Sequence, residues 1–223
     1  MYDWANSAYS TILITVLVSW LQDDVFPGRA GIILYGWGIG VTMLMSAVLL
    51  PVLGAIADAH ASKHRWLTGT ALGGALSLIL MWLVPSQHAW LIAVLFFTTN
   101  ICFEVSFAFY NGFLPELTDD EHMGRVSALG YALGYLGGGL MLLAGILLLL
   151  YGETLGLPAD IETRKRIVLG LTGLWWAVFT ITAIVFLRDK APASRRSQSF
   201  SDAARHGLHE VLTTLLNVRH YRI

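Results

Sequence analysis

The chain has 223 residues, of which 56% are hydrophobic and only 13% charged, with a mean hydropathy of +0.63, about half the charge content of a soluble domain. The formal net charge of -1 says little, because in such a composition the placement of charge matters more than its sum. One cysteine, Cys102, excludes disulfides and cysteine-based metal centres. No cofactor, metal or nucleic-acid partner is expected.

Asp, Glu, Lys and Arg are absent from Trp4 to Gln22, Ala30 to Ala57, Trp66 to Phe103, Val126 to Gly152 and Ile167 to Leu187. A helix at 1.5 Å per residue needs about 20 apolar residues to cross the hydrocarbon core. The third run holds two crossings, divided at Pro85-Ser86-Gln87-His88. Six spans are therefore expected, at about 3–21, 31–57, 66–84, 89–113, 126–151 and 167–187. They leave no room for a separate soluble domain. Met1 leads directly into Tyr2-Asp3-Trp4 without a basic leader, so no cleaved signal peptide is expected.

In span one, Asp3, Ser7 and Ser10 share a face with Asn6 slightly off axis. Asp3 reads as an acid at a helix N-terminus. Asn6 reads equally as a cavity-lining residue or as interhelix glue. Span two ends in Asp58, followed by Lys63 and Arg65. This pattern suits either a gating loop that makes and breaks ion pairs or an ordinary basic loop on the cytoplasmic side. Span four carries one acid, Glu104, with Asn100, Phe107 and Asn111 on the same helical face. An acid at mid-span costs on the order of 3 kcal/mol to insert. It is read as a proton or cation site in a cavity, with interhelix glue as the alternative.

In span five, Gly130, Gly134 and Gly138 recur every fourth residue, the spacing at which small residues let two membrane helices approach. Tyr131 and Tyr135 lie one turn apart and read either as cavity aromatics or as interhelix hydrogen bonders. Trp66, Trp82, Trp90, Trp175 and Trp176 are expected at interfaces or facing lipid. Past Arg188 a Ser/Arg-rich stretch reads as a linker, and Leu208, Val211, Leu212, Leu215 and Leu216 recur at helical spacing as an amphipathic helix. With the N-terminus inside, ten basic residues lie on the cytoplasmic side against four outside, which predicts cytoplasmic termini. Arg164-Lys165-Arg166 is the cluster that runs against this count. No His-Glu-x-x-His helix or Gly-x-Ser-x-Gly turn is present, so no catalytic residue is assigned and an enzyme is not expected.

Three segments carry a family resemblance. Tyr2-Asp3-Trp4-Ala5-Asn6-Ser7-Ala8-Tyr9 resembles the signature of the "unknown major facilitator" family, which includes the fungal vacuolar amino-acid effluxer of autophagy. Tyr110-Asn111-Gly112-Phe113-Leu114-Pro115-Glu116-Leu117, followed by Gly124-Arg125-Val126-Ser127 and the span-five glycines, agrees with it. The segment from Pro51 to Asp58 is similar to the general facilitator loop, although Ala59, Ala61 and Ser62 stand where that loop usually has a base, a glycine and a base. The resemblance implies an all-α membrane protein, the N-terminal six-span half of a major facilitator built from two inverted three-helix repeats. The chain would then stop in the central linker at 188–223, before span seven.

On that resemblance spans one, two, four and five face the transport cavity, and Asn6, Asn100, Glu104, Asn111, Tyr131 and Tyr135 are its candidate lining residues. Asp58, Lys63 and Arg65 form the candidate gating loop. The implied function is secondary transport of a small polar solute, such as an amino acid, by alternating access, with protons coupled through Glu104. The implied partners are the lipid bilayer, the solute, protons and a second six-span half or a second copy. The expected location is the plasma membrane. A non-transporting membrane scaffold or assembly partner is the competing reading.

Overall fold

The computed structural model describes residues 2–60, 62–188 and scattered positions between 201 and 213. Six helices are long and apolar enough to cross a membrane. They are α1 (Tyr2–Val25), α2 (Arg29–His60), α3 (Lys63–Leu83), α4 (Ala89–Asn111), α5 (Asp120–Tyr151) and α6 (Ile161–Phe186). A four-residue helical turn, Leu114–Leu117, extends α4. No strand occurs among the described residues. In lipid this is the expected solution, because each helix satisfies its backbone polar groups internally.

Several helices outrun their charge-free stretches, since polar caps and charged first turns extend them beyond the apolar core. The Asp119 carboxylate accepts from His122 N at 3.1 Å, so α5 starts at Asp120. The Asp160 carboxylate accepts from Thr163 N at 2.8 Å, so α6 starts at Ile161. The hydrogen bonds from Thr163 hold the exposed Asp160 carboxyl below the usual carboxylate range. Helix α1 continues through Asp23 and Asp24 by opening into π-helical turns at Leu13–Leu17 and Leu21–Val25. The α1–α2 connection is tight: Gly28 adopts φ 75°, and a Cβ at Gly31 would lie 2.5 Å from Gln22 Cα.

Because the connections are short, successive helices alternate in direction. One end of the bundle, here called the near end, carries Asp3, Asp58, Lys63 and Glu116. The far end carries Asp23, Asp24, Trp82 and Arg164. Helix α1 is central and packs against α5 and α6, α3 packs against α4 and α6, and α2 lies on α4. The main apolar cluster includes Tyr9, Leu17, Trp20, Leu78, Phe96 and Trp176. A second, at the near end, joins Tyr2, Leu67, Val105, Phe109, Phe113 and Ala183.

Trp176 corrects the expectation of an interfacial or lipid-facing ring. It is fully buried and stacks on Tyr9 at 5.2 Å between centroids. Gly74 on α3 makes room for it, since a Cβ there would come within 2.6 Å of the indole. Trp175 is half-buried and donates its indole N–H to the Trp4 carbonyl at 3.1 Å. Trp90, 80% exposed, keeps the expected outward position. Of the expected amphipathic helix, Val211, Leu212, Leu215 and Leu216 lie outside the described residues. Ala204 packs against Ile56 and Ala59 of α2.

Candidate functional site

Side chains on α1, α4 and α5 bring most of the candidate residues into two places. The first lies between α1 and α4, in the near half of the bundle. Asn6 and Tyr9 are buried on neighbouring turns of α1, and neither Asn6 Oδ1 nor Tyr9 Oη has a hydrogen-bond partner among the described residues. Glu104 of α4 is half-buried, lies within electrostatic reach of Tyr9, and forms no hydrogen bond or salt bridge among the described residues. Buried polar atoms are normally paired, which makes Asn6 Oδ1 and Tyr9 Oη candidates for contact with a polar ligand. Asn100, one turn along α4, is buried with its amide N–H donating to the Phe96 carbonyl at 2.9 Å. Part of its capacity is thus taken by its own helix.

The second place is a cleft of about 50 Å³ at the near end. It is lined by Asp3, Tyr110, Asn111, Ser127, Gly130 and Tyr131 among others. Two of the three segments that carried the resemblance contribute to it, and the one from Pro51 to Asp58 does not. Asp3 is 7% exposed and accepts a hydrogen bond from Tyr110 Oη at 2.5 Å. Asn111 is exposed, as are Tyr131 and Tyr135, the last at 78%. Tyr131 reaches the cleft; Tyr135 lies one turn deeper and is not among its lining residues. Asp3 was read from sequence as a helix-terminal acid on the polar face of span one, and its partner Tyr110, 107 residues away, was not foreseen.

The glycine stripe of α5 brings α1 and α5 together. A Cβ at Gly130 would stand 2.7 Å from Asp3 Oδ2, one at Gly134 2.7 Å from Ser7 Oγ, and one at Gly138 2.9 Å from the Ser7 carbonyl. At Gly134 and Gly138 the backbone of α1 itself stands within 3.2 Å, so a larger residue there would push α1 away, whereas at Gly130 the contact is with the end of the Asp3 side chain. The hydroxyl of Thr11 also turns back to the Ser7 carbonyl at 2.8 Å.

At the near rim, Asp58 lies in the last turns of α2 and Lys63 opens α3. Lys63 Nζ is 3.3 Å from Asp58 Oδ1 and 3.1 Å from Glu116 Oε1, so it ties α2 and α3 to the end of α4. Glu116 is the partner that sequence reading had not assigned. Arg65 is exposed and forms no salt bridge among the described residues. At the far end the unexpected basic cluster is taken up inside the bundle. Arg164 donates to the Leu149 carbonyl of α5 at 2.9 Å and pairs with Glu153 at 3.3 Å. Lys165 bridges Asp23 at 2.8 Å and Asp24 at 2.9 Å. Arg166 caps α3 at the Trp82 carbonyl, 2.8 Å from Nη2.

A bundle of six membrane helices with a polar interior between α1, α4 and α5 suits a transporter, and comparison with known proteins agrees. The family model described as "Vacuole effluxer Atg22 like" matches residues 29–125 and 119–223, most of the chain. The chain belongs to this family. Among curated relatives, the "Uncharacterized MFS-type transporter YxiO" of Bacillus subtilis (strain 168) is 30% identical over 196 residues, covering 85% of this chain and 46% of that protein. "Autophagy-related protein 22" of Coccidioides immitis (strain RS) is 27% identical over 204 residues, covering 67% of this chain and 32% of that protein. The chain thus spans less than half the length of these relatives. No solved structure matches it significantly. This vacuole-effluxer-like chain is a multi-pass membrane protein of a transporter family, which is not an enzyme class.

Proposed function

We propose that the chain is one six-helix half of a secondary transporter that moves a small polar solute of the amino-acid class by alternating access, coupled to protons through Glu104. The observation that carries this reading is the Glu104 carboxylate, half-buried within α4 with no hydrogen bond or ion pair among the described residues and within electrostatic reach of the orphaned Tyr9 Oη. An ionisable group at that depth is expensive and marks a solute or proton path. The polar stretch is short and the nearby rings of Tyr9 and Phe103 are apolar, at 5.0 Å from each other. That combination fits a solute with one or two polar groups on a small carbon frame.

The reading places the near end in the cytoplasm of a plasma membrane, where Lys63, Arg65 and Arg125 sit beside the membrane surface. A second six-helix unit, from the same polypeptide or a second copy, completes the cavity, because transporters of this type hold solute between two halves. The least buried spans, α2 and α5, are the ones available to it, with 17% and 28% of their apolar windows buried.

The test is solute accumulation by full-length protein in reconstituted vesicles under an imposed pH gradient. Glu104→Gln should abolish gradient-driven accumulation while leaving solute exchange across the membrane. Unchanged accumulation removes Glu104 from the coupling. Vesicles in which the wild type moves no solute of this class leave the scaffold reading in its place.

A further inference from the structure

The charge inside the bundle has one sign. Across the stretches 4–22, 30–57, 66–115, 126–152 and 167–187 there is no Lys or Arg, and Glu104 is the sole acid. The cations lie at helix ends, and several are already engaged. Lys63 is tied to Asp58 and Glu116 at the near rim. Arg164 pairs with Glu153 and Lys165 with Asp23 and Asp24 at the far end. Arg65 and Arg125 are exposed at the near end. A zwitterionic solute between the helices therefore finds in this half a counter-charge for its ammonium and none for its carboxylate.

The surroundings of Glu104 suit an organic ammonium. Phe103 precedes it on α4 and Phe107 follows one turn on, the two rings stacked at 6.3 Å between centroids. Tyr9 of α1 lies 5.0 Å from Phe103, centroid to centroid. Cations are attracted to the faces of such rings, most of all where water is excluded. The phenolic oxygen of Tyr9 and, on the neighbouring turn of α1, Asn6 Oδ1 are buried and unpaired among the described residues. An ammonium carries three N–H donors and no acceptor, so oxygens of this kind are its natural partners. A hard metal cation usually takes six or more oxygens. Here there is a single carboxylate, and no cluster of three or more acids, histidines or cysteines occurs among the described residues.

We propose that this half binds the ammonium end of the solute, at Glu104 between the rings of Tyr9, Phe103 and Phe107, and that the solute's carboxylate points away, toward the second six-helix unit. The two halves then divide the solute by charge. This one supplies the acid and the aromatic walls, and the other supplies the cation that meets the carboxylate. The inference rests on the transport function proposed above and deepens it, because it fixes which end of the solute each half reads. It follows that an amine without a carboxylate is a ligand and a carboxylate without an amine is a poor one. In the vesicle assay above, Glu104→Gln then exchanges solute only at correspondingly higher concentration.

The experiment is isothermal titration of full-length protein in lipid nanodiscs with alanine, leucine and phenylalanine. Each is compared with its decarboxylated amine (ethylamine, 3-methylbutylamine, 2-phenylethylamine) and its deaminated acid (propanoate, 4-methylpentanoate, 3-phenylpropanoate). The amine of at least one set should bind, and the matching acid should bind about a hundredfold more weakly than the amino acid, as expected when one partner of a buried charge pair is removed. Glu104→Gln should weaken the amine and the amino acid alike and leave the acid as it was or bound more tightly. If that variant fails to give a monodisperse protein, the amine and acid on the wild type decide alone. An acid that binds as tightly as its amino acid, an amine indifferent to Glu104→Gln, or no binding by any of the nine compounds overturns the proposal. Amine binding that depends on Glu104 in a protein whose vesicles move no solute removes the transporter reading and leaves the ammonium site. Transport that the deaminated acid inhibits as well as the parent amino acid removes the ammonium site and leaves the transporter.

Discussion

At the scale of single residues, absence of a side chain matters as much as presence. Gly134 is buried under Ser7, and its missing Cβ would lie 2.7 Å from Ser7 Oγ and 3.1 Å from Asp3 Cβ. Gly139, five residues on, faces open space. Gly134→Val should therefore cost about 1–3 kcal/mol of stability by overpacking, and Gly139→Val should be close to neutral, as read by thermal unfolding in detergent. Equal losses at both positions would show that the stripe acts through helix propensity and not through contact. The spacing of these glycines was legible in the sequence, but which helix they receive was not. Asp3 shows the same limit: its type and helix-end position were readable, whereas its burial and its bond to Tyr110 need three helices in place.

At the scale of elements, the far end of the bundle is held by three consecutive side chains that point to three different helices. Arg164 reaches α5, Lys165 reaches α1 and Arg166 reaches α3. Consecutive residues on a helix are about 100° apart, so a helix surrounded on several sides distributes such a run among its neighbours. The π-turn at Leu21–Val25 complements this, turning the adjacent Asp23 and Asp24 toward one ammonium. Lys165→Ala should destabilise the bundle by about 2 kcal/mol, less than a fully buried pair because Asp23 is half exposed. Adding Asp24→Asn should recover part of that loss, since Asp24 is the better buried acid, at 16% exposure. A double-mutant cycle by chemical denaturation in micelles measures the coupling, and additive losses would refute it. In the linear sequence this cluster looked like a violation of the positive-inside pattern. The charges are instead engaged with carbonyls and carboxylates at the ends of neighbouring helices.

At the scale of the whole molecule, burial is unevenly shared. Helix α1 is the most enclosed of the six, with 56% of its apolar window buried, and α2 is the least, with 17%. Lipid offers no hydrophobic force between helices, so enclosure follows close packing and polar contact. Helix α1, with its small and hydroxyl-bearing face, collects both. The outward stripe Leu171, Leu174, Val178, Ile181 and Val185 on α6 is apolar throughout and suits lipid. The outward face of α5 bears Tyr131 and Tyr135 among its exposed leucines. In full-length protein, a cysteine at Val178 should react readily with a lipid-soluble maleimide, and one at Tyr135 should be protected by the second six-helix unit. Equal labelling would leave α5 against lipid and remove the two-half arrangement.

The hydrophobic run lengths by themselves determined six membrane helices and excluded a soluble core, because crossing a bilayer is a demand on composition and length that a chain meets locally. The same local logic marked Glu104 as costly and the α5 glycines as contact points. Contacts between distant residues were decided only by the tertiary structure. It put Trp176 in the core, joined Asp3 to Tyr110, gave Lys63 a second acid in Glu116 and enclosed Lys165 with two aspartates. Each of these depends on the angle at which one helix meets another, and that angle is set by the packing of all six together, not by any segment alone.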